Sequence, residues 1–314
     1  FTRLKLEGPG ARAHVDSLTA SRLPPPGRVG LAYFADSRGR VLTEMSVMVH
    51  ADDEVGLITA AAAQWHDRDL LGRTVPAGIT VTDHTEAAEC LLVTGPKARE
   101  ILAPLTVGHD LAAPWFSVSL DGTLAGQACA LLRVSFAGEL GWEIHAAPEA
   151  MPAIWDALAA AGVKPFGMYA LDALRIEKGY RTWKGDLSLD VTLLEAGLDR
   201  FLALDKPADF PGKRALLDER AAGPARRFAA LIVEGAAQEP RSMATIRKDG
   251  AAVGAVTSAA FGYRVGASIS HAMVRADLAV PGTVLEVEVF GQVCRAVVQD
   301  PGPLWDRDNK RMRG

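Results

Sequence analysis

The stretch from Gly138 to Gly212 decides how this chain is read. It runs GELGWEIH over residues 138–145, ALDALRIEKGYRTWKGDLS over 170–188 and LLEAGLDRFLALDKPADFPG over 193–212. Within it stand a carboxylate (Glu143), a guanidinium (Arg175) and several amphipathic aromatics (Tyr180, Trp183). Such a series suits a pocket for a flat, polar ligand that ends in a carboxylate. GWEIH alternates as a strand, which turns Glu143 to the face opposite Trp142 and Ile144. From the residues alone, Glu143 is either a solvated strand carboxylate or a planar acceptor for an amidine-like pair of N–H donors, as on a pterin edge. Arg175 falls among Leu171, Leu174 and Ile176 on a helical pattern. It either pairs with Asp172 three residues earlier or clamps a ligand carboxylate with its planar fork.

Working outward, 314 residues suit two domains. A hydrophobic content of 49% with 23% charged residues is that of a globular chain. The net charge of −4 argues against a general nucleic-acid binder, which carries a basic face. Cys90, Cys129 and Cys294 are widely spaced and form no CxxC, so they read as reduced core thiols in a reducing compartment. No apolar run reaches the roughly 18 residues that span a bilayer. Position 1 is Phe, inside the strand-like run FTRLKLEG, which reads as a fragment or processed product and leaves open the loss of a preceding domain.

A repeat is visible. LKLEGPGAR at 4–12 is echoed by LLVTGPKAR at 91–99, each a strand, a Gly-Pro break and then a helix (Ala11–Leu18; Ala98–Leu105). Strand patterns follow each copy: Val29–Phe34, Val41–His50 and Val55–Thr59, then Ala112–Asp121, Gln127–Phe136 and Gly141–Ala146. Helical spacing marks 148–161, 168–178 and 215–222. Near residue 225 the texture changes to short strands with turn signals at Asp249-Gly250, Pro281-Gly282 and Phe290-Gly291, a small antiparallel barrel or sandwich. The expected fold class is α+β, with a duplicated core over 1–225 and a barrel over 226–314.

Two further residues are candidates. Glu44 is a charge among the apolar strand residues of VLTEMSVMV; burial there is costly, so it either faces water or has a function. Tyr33 is either a half-buried strand aromatic or a ligand-stacking ring. The histidines, among them His84 and His145, read as packing or hydrogen-bonding residues, since no HxxxH or HxH pair exists and no metal site is expected. GxSxG, Walker and zinc-box motifs are absent, and GPGAR lacks the third Gly of a dinucleotide fingerprint.

The quoted series resembles the folate-dependent aminomethyltransferases, the glycine-cleavage T-protein family, and within it the folate-binding C-terminal portion of dimethylglycine and sarcosine dehydrogenases. The resemblance spans nearly the whole chain and returns in VGAVTS at 253–258. It implies three subdomains around a central hole, with the barrel closing a tetrahydrofolate site. By that resemblance Glu143 orients the pterin, Arg175 holds the glutamate tail, and Phe136 takes the place of a tyrosine against the folate. Tyr33 and Trp183 line the site. Glu44 stands where the family has an aspartate near N5, its carboxylate one bond further out. The KGCYxGQE signature of the non-catalytic iron–sulfur assembly relatives is absent. The implied reaction captures a methyl-derived iminium or formaldehyde as 5,10-methylene-tetrahydrofolate during N-demethylation of an amine such as dimethylglycine or sarcosine. FAD would sit on a missing domain or a flavoprotein partner. Methyl or aminomethyl transfer from another donor, and a non-catalytic folate-binding module, are the alternatives. The expected location is cytoplasmic, or the mitochondrial matrix in a eukaryote, with no nucleic-acid or membrane partner.

Overall fold

The computed structural model describes all 314 residues. The first copy of the repeat begins with β1 (Thr2–Glu7) and α1 (Ala11–Leu18) and continues with β2 (Val29–Ala35), β3 (Val41–Ala51) and β4 (Glu54–Thr59). Helix α2 (Gln64–Thr74) and β5 (Thr80–Asp83) complete an antiparallel sheet of order β2-β3-β4-β1-β5. In β3 the odd positions Val41, Thr43, Met45, Val47 and Val49 are buried, and most of them join Leu4, Leu6, Phe34 and Leu57 in one core. The even positions, Glu44 among them, are half-buried on the other face. That is the period-2 alternation of a sheet with two unequal faces.

The second copy repeats the plan. It contains β6 (Glu89–Thr94), α3 (Ala98–Leu102), β7 (Thr106–Val107), β8 (Val118–Ser119), β9 (Thr123–Leu124), β10 (Gln127–Ala128), β11 (Ala130–Leu132) and β12 (Gly141–Ala146). The main sheet here has the order β6-β12-β11-β8, matching β1-β4-β3-β2 strand for strand. Gly8 and Gly95 carry the same unusual backbone, φ 134° and 133°, at the two Gly-Pro breaks. A side chain is barred from this region, so each copy needs its glycine. The inner faces of the two sheets meet through Val29, Ile58 and Leu132.

After α4 (Met151–Ala160) and α5 (Met168–Glu177) a long irregular segment leads to α6 (Lys213–Ala222). The barrel follows: β13 (Arg226–Val233), β14 (Thr245–Lys248), β15 (Ala251–Gly262), β16 (Ala267–Arg275), β17 (Val284–Val289) and β18 (Gln292–Val298), closed in the order β13-β16-β15-β14-β17-β18. Its hairpins turn at Asp249-Gly250 and Phe290-Gly291, both pairs at positive φ, the geometry whose twist suits tight hairpins. Helix α5 packs on β15 and β16, and α7 (Lys310–Arg313) ends the chain. No helix is long and apolar enough to cross a membrane.

Three expectations need correction. The strand expected over Ala112–Asp121 is loop except for β8, because Pro114 and Phe116 (φ 67°) break the pleat. The strand expected to end at Phe136 ends at Leu132, so Phe136 lies in a loop. Helix α2 was not expected at all: its sequence QWHDRDLLGRT buries only Asp67 and Leu71, too few for an apolar stripe.

One close approach ties the second sheet to the C-terminus. Gly138 has φ 71°, and a Cβ there would lie 1.9 Å from Lys178 Cγ. Lys178 cannot move aside, since its Nζ donates to Asp306 O at 2.8 Å and Asn309 Oδ1 at 3.0 Å from inside the fold. Gly126 has similar backbone (φ 77°) and nothing within 4 Å of its would-be Cβ. Gly126→Ala is expected to cost only the left-handed penalty of about 1–2 kcal/mol, and Gly138→Ala about 1–3 kcal/mol more from overpacking, read as the shift in denaturant midpoint.

Candidate functional site

The two sheets carry Glu44 and Tyr33 on one side and Glu143 on the other. Leu132 pairs with Glu143, and Ile58 pairs with Ser46, two positions from Glu44. Glu143 and Glu44 lie on the sheet faces that carry Leu132 and Ile58, which share a small apolar cluster with Val29 between the two sheets. Trp142 and Ile144 point the other way, into the core of the second copy. Glu143 is therefore not a solvated edge residue; its side chain is 17% exposed.

Glu143 is held by its neighbours. Its Oε2 lies 3.1 Å from His145 Nε2 on the same face. His145 Nδ1 in turn lies 3.0 Å from Arg3 Nη2. Cys90 on β6 is beside them, its Sγ 3.8 Å from His145 Nε2. Burial, with Glu143 adding to it, pushes the Cys90 thiol up to about 12. The cysteines are all unpaired, Cys129 and Cys294 buried and Cys90 half-buried in this wall.

Glu44 stands opposite Tyr33, its cross-strand partner on β2, on the same face of the sheet. Glu44 keeps a narrow opening to solvent yet lies deep in the wall. Burial pushes its carboxyl up to about 7; Asp186 adds to the rise, while Tyr33 and Arg181 oppose it. Tyr33 is 4% exposed and packs on Phe201, ring centroids 5.2 Å apart. The structure thus makes Tyr33 a support for Glu44, not an open stacking surface. Burial also pushes its phenol up.

The third wall is built around a residue the sequence reading passed over. Asp186, in the loop after α5, is 2% exposed. Its Oδ2 accepts from Arg175 Nη1 at 2.7 Å and from the Thr182 amide at 3.0 Å. Its Oδ1 accepts from Ser258 Oγ at 2.7 Å and from the Thr257 hydroxyl. Burial alone would raise this carboxyl, but the Arg175 guanidinium and the Thr257 hydroxyl outweigh it and hold Asp186 well below the usual carboxylate range. His271 Nε2 lies 3.2 Å from the Ile176 carbonyl, which can only accept, so the ring proton sits on Nε2. Burial keeps that ring neutral, lowering its pKa.

Arg175 is placed differently from a free clamp. It is 2% exposed, and Nε donates to Asp172 at 2.9 Å while Nη1 serves Asp186, the Tyr180 carbonyl and Ser258. A bidentate clamp through both terminal nitrogens is not available, because only Nη2 has no protein acceptor. The pairing with Asp172 open to it from sequence is present, and the deeper tie to Asp186 was not legible. Arg181, also unanticipated, donates to the Gly179 and Gly197 carbonyls, and its guanidinium lies 4.0 Å from the Phe228 ring. Its Nε is buried with no partner, and burial brings its pKa down to about 10.

The aromatics divide. Phe136 stacks with Tyr180, centroids 6.3 Å apart and planes at 20°, and the Tyr180 hydroxyl donates to Met312 Sδ. Trp183 is half-buried on the outer side of the Asp186 loop, with Lys184 Nζ 4.6 Å over its ring and His66 of α2 6.2 Å away. The arrangement offers a carboxylate on each inner sheet face, one of them raised to about 7, a stacked aromatic pair and a buried Arg–Asp hub. That donor set suits a ligand with a planar N–H edge and a basic nitrogen.

The model of the GCVT N-terminal domain matches residues 1–206, and that of the glycine cleavage T-protein C-terminal barrel domain matches 226–306. The chain is 31% identical over its full length to the mitochondrial dimethylglycine dehydrogenase of Rattus norvegicus, and spans 38% of that protein. It is 30% identical to the aminomethyltransferase of Saccharopolyspora erythraea over 92% of this chain and 80% of that one. Its fold matches the crystal structure of glycine cleavage system aminomethyltransferase T from Bartonella henselae, with a TM-score of 0.88 and 23% identity over 98% of this chain and 84% of that one.

Two outcomes follow from the site itself. Asp186→Ala leaves the buried Arg175 with only the exposed Asp172 as a carboxylate partner and is expected to cost about 3 kcal/mol in chemical denaturation. Burial pushes the folded Glu44 carboxyl up to about 7 from its ordinary 4.5, so the folded state holds this proton more tightly. That contribution to stability is complete below pH 4.5 and is lost as pH rises toward 7. Wild type is therefore expected to lose stability relative to Glu44→Gln between pH 4.5 and 7.5, measured as the difference between their denaturation midpoints.

Proposed function

The chain belongs to the glycine-cleavage T-protein family of aminomethyltransferases, and from that premise we propose that it binds tetrahydrofolate between the two facing sheets and loads it with a one-carbon unit. The feature that carries the proposal is Glu44, a carboxyl that burial pushes up to about 7, on the inner face of the first sheet, while Glu143 stands on the inner face of the second. A carboxyl near neutrality can both take and return a proton at the pH where the protein works. Asp186, close by, is driven the opposite way. Two carboxylates of one site forced apart in pKa divide into a proton carrier and a fixed charge.

The residues fit this ligand. Glu143 has one oxygen engaged by His145 and the other free for the paired N–H donors of the pterin edge. The Phe136–Tyr180 pair offers an aromatic surface. Arg175 contributes Nη2 to the tail carboxylate while Nη1 stays with Asp186. Trp183 shields the approach from the α2 side. Tetrahydrofolate supplies a nucleophilic nitrogen, N5, for the incoming carbon. Glu44 takes the proton lost at that nitrogen, and Tyr33 and Arg181 keep the carboxylate in place.

The donor we favour is an N-methyl amine such as dimethylglycine or sarcosine, oxidised to an iminium or formaldehyde, with 5,10-methylene-tetrahydrofolate as product. That oxidation requires a flavin, which we assign to another domain or a partner chain. The similarity to dimethylglycine dehydrogenase over the full length of this chain supports this reading. A second reading, aminomethyl transfer without oxidation, is supported by the relatives named aminomethyltransferase that this chain matches over four fifths of their length.

Calorimetry with tetrahydrofolate tests the proposal. Wild type is expected to bind and Glu143→Ala to bind about tenfold or more weakly, the worth of a charge-assisted hydrogen bond. Absence of binding to the wild type would sink it. Glu44→Gln is expected to keep the affinity and lose most turnover when formaldehyde is the carbon source, by about 100-fold or more. The wild-type rate is expected to rise with pH through an inflection near 7.

A further inference from the structure

Cys90, Glu143 and His145 offer three ligand atoms within 4.8 Å of one another, the only such His/Cys/carboxylate group in the chain. Metal coordination is the obvious use of such a trio, and the hydrogen bonds argue against it. Arg3 Nη2 sits 3.0 Å from His145 Nδ1, and a guanidinium can only donate. Nδ1 therefore accepts and carries no proton. The single ring proton of the neutral imidazole is on Nε2, the atom that faces Glu143 Oε2 at 3.1 Å and Cys90. A histidine metal ligand has the reverse arrangement, with its far nitrogen donating outward and its near nitrogen bare. A cation beside the trio and a thiol buried against ionisation complete the case.

We propose that His145, set in its Nε2–H form by Arg3, is a positioning residue that fixes the Glu143 carboxylate for the ligand. This rests on the reading of Glu143 as the residue that binds the pterin edge. The chain of donors runs one way: Arg3 to His145, His145 to Glu143. Arg3 is itself anchored through Nη1 to the Ala88 carbonyl on the neighbouring segment. His145 is 7% exposed, so its ring has little freedom to turn away. With Oε2 occupied, rotation of the carboxylate about its last bond is blocked, and Oε1 stays aimed away from the histidine. A planar two-point contact with a ligand depends on that plane being set in advance. Sequence reading had assigned His145 to packing or hydrogen bonding, without a partner.

Calorimetric titration of tetrahydrofolate into the full chain tests this with His145→Leu and His145→Gln. The leucine removes the donor; the glutamine returns an N–H toward Glu143 and an oxygen toward Arg3. His145→Leu is expected to weaken binding about tenfold and His145→Gln to recover it to within about threefold. In a Glu143→Ala background, His145→Leu is expected to change affinity no further. Wild-type binding lost in Glu143→Ala but equal in His145→Leu would overturn the inference while leaving the folate reading standing. No binding to the wild type at all would remove both. Nitrogen-15 NMR of the wild-type imidazole reads the same point without any variant: a bare Nδ1 and a protonated Nε2 are expected. The opposite tautomer, or zinc bound one-to-one and lost in Cys90→Ser, would also overturn it.

Discussion

Asp186 is the interaction on which the rest of the site depends. A carboxylate buried at this depth survives only if every lone pair is used. Here Arg175 comes from α5, Thr182 from the following loop, and Thr257 and Ser258 from the barrel. One side chain therefore joins three separate parts of the chain. The charge it places in the wall also acts on Glu44, which it helps to keep protonated. Stability and chemistry share this one group: the pairing that holds the barrel on the core sets the electrostatic environment of the reacting space.

The duplication explains why a site exists where it does. Each copy builds the same run of four strands, extended by β5 in the first, with one face sealed in its own core. The opposite faces are left over, and they meet only through the small contact of Val29, Ile58 and Leu132. Around that contact the space is lined by whatever the even positions of β3 and the odd positions of β12 provide. The two copies have diverged there: a proton carrier and its tyrosine in the first, a carboxylate with its histidine and arginine in the second. The glycines at the Gly-Pro breaks did not diverge, because the backbone they hold admits no side chain.

Part of the site was legible because strands obey a strict alternation. GWEIH has one possible sidedness once Trp142 and Ile144 are placed in the core, and Glu143 followed from it. VLTEMSVMV treats Glu44 the same way. Arg175 was visible as a residue but not as a function, since a helix with apolar neighbours says nothing about which carboxylate the guanidinium will meet. Tyr33 and Glu44 are eleven residues apart, and their pairing needs the β2–β3 register, which a bulge between Phe34 and Ala35 sets. Asp186 looked like one more loop residue in WKGDLS, because its partners come from residues far along the chain.

By itself the sequence determined the local rules: two strand–Gly-Pro–helix units, the sidedness of Glu143, hairpin turns at Asp249-Gly250 and Phe290-Gly291, and the change of texture near residue 225. Each depends on neighbours within a few positions, where pleat, helix period and allowed φ leave few choices. Only the tertiary structure decided which groups meet. Arg3 reaches His145 across 142 residues, Arg264 bonds Glu139 and Glu177 across more than 80, and Asp186 takes hydroxyls from more than 70 residues away. Hydrogen bonds and burial of this kind act over about 3 Å in space at any separation in sequence, so no local pattern records them.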